Sequence, residues 1–168
     1  MRLIIHRFLP LVVMAGTTLL VVASCSKSNN SSSSNGSITA SINDTAWTAN
    51  YSVAGLYTVA ANEFEVVGSQ IKSGDSTIFY VNFNTPITAG KTISSDSGLV
   101  DIEFANSKGS ALYDGGSLAG HSILTVTDWD STNFKIGGTF SGVLYNINTG
   151  TDSLIVTGGT FSTSFTLQ

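Results

Sequence analysis

Four acidic side chains form two i, i+2 pairs, Glu63 with Glu65 and Asp101 with Glu103, inside segments that alternate apolar and polar residues. On a strand such positions share one face roughly 7 Å apart, a spacing at which one carboxylic acid can protonate a leaving group while a second assists. The wet face of any antiparallel sheet places acids in the same way for solubility alone, and neither pair is flanked by the aromatic density of a sugar subsite. His121 could serve as a base for a serine, with Asp114 or Asp101 orienting the ring. The Gly-x-Ser-x-Gly signature of a nucleophile elbow is absent, however, and Gly115-Gly116-Ser117-Leu118-Ala119-Gly120 misses its spacing. A surface histidine beside a strand start is the favoured reading, so no catalytic residue is assigned and a non-enzymatic protein is expected.

Metal chemistry finds little purchase. Asp128-Trp129-Asp130-Ser131-Thr132-Asn133 opens like a calcium loop, with oxygen ligands at alternate positions, yet it lacks the loop glycine and the distal glutamate. The plainer reading is a turn in which Asp130 and Asn133 satisfy local backbone amides. Zinc would need more than His121 and one cysteine, so neither a metal nor a cofactor is expected. The rings of Trp47, Tyr51, Tyr57, Tyr80, Tyr113, Trp129 and Tyr145 could stack on sugars or cover peptide side chains. Most belong to packing. Trp129, between two acids near a turn, and Tyr113, beside Asp114 in an irregular stretch, are the candidate ligand contacts, with a glycan, peptide or protein as partner.

The elements that must position these residues are strands. From Ile38 onward β-branched and aromatic residues alternate with polar ones, punctuated by Gly, Asn, Asp and Ser. Ile38–Ile42 and Ala46–Ala49 flank the turn pair Asn43-Asp44 and read as an opening hairpin. Strands are expected over 56–61, 64–71, 77–84, 99–105, 122–129 and 134–146, with Tyr80, Asn82 and Asn84 facing away from Phe79, Val81 and Phe83. Thr85-Pro86 marks a corner or edge. Residues 106–120 are the least regular. Two short strands, 154–157 and 160–167, close the chain as a late addition to the sheet.

Gly137-Gly138-Thr139-Phe140-Ser141 recurs as Gly158-Gly159-Thr160-Phe161-Ser162. Two copies cannot make a solenoid. They read instead as antiparallel neighbours, each with a glycine-permitted bulge or bend followed by an inward phenylalanine. The fold class expected is all-β: an antiparallel two-sheet sandwich, with a small lipocalin-like barrel as the alternative. The choice bears on function, because a closed barrel would offer a cavity for a small hydrophobic ligand whereas a sandwich presents faces and loops.

The N-terminal stretch gives an address. Arg2, His6 and Arg7 precede a largely apolar run from Phe8 to Val22, too short for a comfortable membrane span of about 20 residues. It ends in Val22-Ala23-Ser24-Cys25, which resembles the lipobox of bacterial lipoproteins. That resemblance implies a signal peptide over residues 1–24 and a lipid-bearing Cys25, the only cysteine in the sequence and hence without an intramolecular disulfide partner. Several acyl chains on one residue amount to stable anchoring. Residues 25–37 follow as a Ser/Asn-rich flexible tether with a typical reach on the order of 20 Å, and residues 38–168 as one β-rich domain.

Beyond the leader the chain carries five lysines, no arginine and all 11 acidic residues, a formal −6. This opposes nucleic acid, which needs a cationic footprint, and leaves the lipid on Cys25 as the contact with the membrane. Ser26 after the cysteine suggests the outer membrane, on its periplasmic or surface face.

Ile42-Asn43-Asp44-Thr45-Ala46-Trp47-Thr48-Ala49, with the late segments Ile136–Ser141 and Thr157–Phe161, resembles small β-rich lipoproteins of Bacteroidota that carry a domain of unknown function. Asp44 stands where that group more often has glycine. The resemblance spans roughly residues 38–168 and implies an envelope lipoprotein; it carries no catalytic residue over. Cys25→Ala is expected to abolish lipid labelling and membrane association together, and a variant that still takes up label would overturn the assignment.

Overall fold

A computed structural model describes residues 36–84, 87–106, 112–116 and 120–168. Cys25, Ser117 and the Thr85-Pro86 corner lie outside the described residues. The described chain is all-β, with 11 strands and one 3-10 turn at Ser95–Ser97. In order these are β1 (Gly36–Ile42), β2 (Thr45–Thr48), β3 (Ser52–Thr58), β4 (Glu63–Lys72), β5 (Asp75–Asn84), β6 (Thr92–Ser94), β7 (Val100–Asn106), β8 (Leu112–Asp114), β9 (His121–Asp130), β10 (Lys135–Asn146) and β11 (Ser153–Leu167).

The opening hairpin forms as expected. Asn43 and Asp44 both take positive φ, 46° and 63°, and form the two-residue loop whose backbone twist suits tight antiparallel pairing. One layer runs β3-β4-β5-β7-β8 and the other β2-β1-β11-β10-β9-β6. Every pairing is antiparallel except that of β11 with β3.

The two layers join at their corners. β8 meets β10 through two residue pairs, Tyr145 with Asp114 and Asn146 with Tyr113. At the other corner Phe165–Leu167 run parallel to Gly55–Tyr57. The result is one 11-stranded sheet folded over on itself as a sandwich, in place of the small lipocalin-like barrel held as the alternative. Large side chains fill the space between the layers. Phe79 on β5 lies 5.7 Å from Phe140 on β10, and Phe64 on β4 lies 4.9 Å from Phe165 on β11 and 5.5 Å from Trp129 on β9. Trp47 on edge strand β2 reaches Phe79 at 4.8 Å, and its indole N–H donates to Thr77 Oγ1 at 2.8 Å, so the polar end of the buried ring is satisfied.

The repeated Gly-Gly-Thr-Phe segments do pair with each other. Gly138 sits opposite Phe161 and Gly159 opposite Phe140, so each phenylalanine lies over the partner's glycine. A Cβ on Gly138 would fall 2.6 Å from the Phe161 ring, and one on Gly159 would fall 2.6 Å from the Phe140 ring. Both phenylalanines are core residues, as expected. Gly158, at φ 58°, forms a bulge that displaces the register of β11 against β10 and β1 alike.

Other expectations are corrected. The last two strands are one: β11 passes continuously through the bulge and lies inside the sheet, because the glycine pair bends the ladder without ending it. β3 starts at Ser52 and stops at Thr58, with residues 59–62 forming the turn. β8 forms within the stretch read as irregular, and the three-residue β6 was not anticipated. Across the outer face of the second layer, Thr48, Thr39, Thr160, Thr139, Thr125 and Thr92 fall in one register row. Hydroxyls of neighbouring strands bond at 2.9 Å for Thr39 with Thr160 and for Thr92 with Thr125.

Phe140→Ala and Phe161→Ala are each expected to cost about 3–5 kcal/mol. Gly159→Ala should cost about 1–3 kcal/mol by overpacking against the Phe140 ring and backbone. Urea midpoints equal to the parent's would place these residues outside the packing described.

Candidate functional site

The alternation that sends Phe64, Val66, Phe79, Val81, Phe83, Val100 and Ile102 inward sends a polar set outward from the first layer. Register then aligns it across strands. Glu65 on β4 faces Asn82 on β5, which faces Asp101 on β7. Tyr80 faces Glu103, which faces Asp114 on β8, and Glu63 faces Asn84. Neighbouring strands lie about 4.8 Å apart. The two carboxylate pairs noted in the sequence therefore meet on one face, joined by Asp114 and two asparagines.

An open depression of about 420 Å³ lies over this set, lined by Glu63, Asn82, Asn84, Asp101, Glu103 and Asp114, with residues 98–100 and Gly116 completing the wall. The wall at Gly116 is tight. A Cβ there would fall 2.7 Å from the Asp101 carboxyl carbon, so only glycine lets the backbone come this close. Asp114 Oδ1 accepts the Gly116 N–H at 2.6 Å and so holds the loop against the carboxyl.

Burial and mutual repulsion push these acids toward their protonated forms. Asp101 is raised to about 7, first by burial, then by its hydrogen bond to Asp114 and by the charges of Asp114 and Glu103. Near neutrality Asp101 is therefore held partly protonated, and its proton is shared with the neighbouring carboxyls of Asp114 and Glu103. Glu103 is raised by burial and by the charges of Asp114 and Glu65. Glu65 is raised by burial and by Glu63, and the Tyr80 hydroxyl by burial and by Glu65 and Glu103.

Two acceptors at this site, Asn82 Oδ1 and Asp101 Oδ1, are buried with no hydrogen-bond donor. Buried polar atoms are nearly always partnered. The arrangement can thus accept hydrogen bonds from hydroxyl or amino groups, and its shared proton can be donated to a ligand.

The other sequence candidates lie elsewhere. Tyr113 is half-buried on the opposite face of β8 from Asp114, packs against the core, and donates its hydroxyl to Asp152 Oδ2 at 2.6 Å. Trp129 points between the layers and stacks on Phe165 at 5.1 Å. Neither lines the acidic depression.

His121 stands 3.4 Å from Asp96, Nδ1 to Oδ1, on an exposed surface, so its carboxylate neighbour is Asp96 in place of Asp114 or Asp101. Asp130 makes the expected turn: Oδ1 accepts the N–H groups of Thr132 and Asn133, and Oδ2 accepts the Asn133 amide at 2.6 Å. Those bonds, the Asn133 amide first, hold Asp130 below its ordinary value. Among the described residues no group of three or more His, Cys, Asp or Glu is arranged to hold a metal ion.

Asn82 and Asn84 were legible only as the wet face of a strand. What the sequence did not carry was the adjacency of β5 and β7, which are separated in the chain by a strand of the other layer. Compared with protein-family models, curated proteins and solved structures, the chain finds no match in any of the three.

The folded value of Asp101, about 7, exceeds its ordinary 3.8, so between those values the folded chain holds a proton that the unfolded chain has released. Stability from this group is full below about pH 4 and is lost as pH rises through 7, a change on the order of 1–2 kcal/mol after solvent screening. Asp101→Asn is expected to flatten that decline in urea titrations from pH 4 to 8. Glu103 and Glu65 retain a smaller slope of the same sign. A parent and variant with parallel pH profiles would refute the proton-sharing pair.

Proposed function

We propose that this chain is a lipid-anchored cell-envelope protein whose β-sandwich is a non-enzymatic binding module, with the acidic depression on β4, β5, β7 and β8 as its site. The fitting ligand is a glycan rich in free hydroxyl or amino groups. The observation that carries this reading is the pair of buried acceptors, Asn82 Oδ1 and Asp101 Oδ1, left without donors beside an open depression. A ligand donor would remove both desolvation penalties at once.

Protonation of Asp101 extends the range of partners. With the shared proton in place the pair can donate as well as accept, which suits a sugar hydroxyl; with it removed, the added negative charge suits an amino group. The absence of arginine from the mature part removes the usual bidentate clamp, so phosphate and carboxylate groups fit poorly. A carrier of small hydrophobic ligands draws less support, since the rings of Phe64, Phe79, Phe140 and Phe165 occupy the space between the layers.

The test is a glycan array followed by titration calorimetry on the strongest hit. Asn82→Ala and Asp101→Ala should each weaken binding by about tenfold, the scale of one or two lost hydrogen bonds to a buried acceptor, while Ser162→Ala on the opposite layer should leave it unchanged. No hit among neutral and amino glycans, or hits indifferent to both substitutions, would overturn the proposal.

A further inference from the structure

One end of the sandwich gathers the chain's entry point and a set of exposed apolar groups. β1 begins at Gly36, opposite Thr163 on β11, and β11 runs on from there to Leu167. The turn at residues 59–62 lies at the same end, tied to Gln168 by the Val59 N–H to Gln168 O bond at 3.1 Å and the Gln168 N–H to Tyr57 O bond at 3.0 Å. So does the turn ending in Phe134, whose carbonyl accepts the Phe165 N–H at 2.9 Å.

Val59 is 54% exposed, Leu167 52% and Phe134 44%, with Ala60 and Ala61 exposed between them. Phe134 holds φ 52°, an unfavourable conformation for a bulky residue, and still presents its ring 5.6 Å from Phe165 at the rim of an apolar hollow.

We propose that this end is a lipid-contacting surface that lays Val59, Phe134 and Leu167 into the interfacial layer of the bilayer anchoring Cys25. The inference rests on the lipid-anchored reading. Only ten residues, all polar, separate Cys25 from Gly36, and a polar chain of that length typically spans roughly 18 Å. A lipid on Cys25 therefore holds the Gly36 end toward the membrane. A second exposed pair, Tyr51 and Ile71, lies at the opposite end, which the same short linker keeps away from the lipid.

The formal charge of −6 beyond the leader opposes attraction to anionic headgroups, so the contact is apolar and suits a zwitterionic surface. Asp130, the nearest acid of the Phe134 turn, has its oxygens engaged by Thr132 and Asn133.

The test uses the full mature protein in phosphatidylethanolamine–phosphatidylcholine vesicles, with an environment-sensitive fluorophore placed by Ala60→Cys or, at the opposite end, by Thr149→Cys. A lipid-bearing Cys25 leaves the new thiol as the single labelling site. The expected result is a blue shift and quenching by brominated acyl chains at position 60, none at 149, and loss of the response at 60 on adding Phe134→Ser with Leu167→Ser. Where that double variant fails to fold, Val59→Ser on the exposed turn serves in its place.

Intact mass separates the two ways of failing. A protein with the lipid increment whose two labels respond alike overturns the surface alone. A protein without the increment overturns the anchor and, with it, the surface that depends on it.

Discussion

The reciprocal seating of Phe140 over Gly159 and Phe161 over Gly138 is the contact on which the architecture turns. β10 and β11 pair with each other, and each also takes a partner in the other layer: β10 carries β9 and then β8 along one edge, and β11 carries β1 and then β3 along the other. Each must change partner partway along its length. Glycines opposite the rings let the two strands approach closely enough to stay paired through that change, and the Gly158 bulge supplies the bend. Larger residues at 138 or 159 would separate the strands that hold the layers together.

The acidic depression depends on the same arrangement at one remove. β8 is only three residues long and is held by two residue pairs to β10 and three to β7. Asp114 reaches Asp101 because β8 is pinned in that corner. The proton shared by those carboxyls is therefore a product of the layer junction as well as of local composition, and the face formed by β4, β5 and β7 alone would lack it.

Strand content, the opening turn at Asn43-Asp44, the inward Phe140 and Phe161 and the outward Tyr80, Asn82 and Asn84 could all be read from alternation and turn chemistry. Such signals are local. Strand order is not, and β6 shows why: three residues cross to the other layer between β5 and β7, which then become neighbours. The glycine pair in β11 misled for a related reason, since Gly-Gly marks a chain reversal and a bulge equally well, and only the neighbouring strands decide between them. Each carboxylate pair was legible by itself. Their convergence with Asp114 required the register of four strands, and the inward turn of Trp129 required knowing where Phe165 would lie.

β11 is both the last of the described strands and an inner strand of the sheet. β1, β3 and β10 have at most one other neighbour each along much of their length until its 15 residues arrive. Vectorial synthesis thus delivers the keystone after every other described strand. The earlier strands can form the β4–β5 and β5–β7 meander but cannot close the layers, and long-range pairing of this kind is slow in any case. A nascent chain would stay open until β11 had emerged, and any loss from that strand would strike the centre of the sheet before its margin.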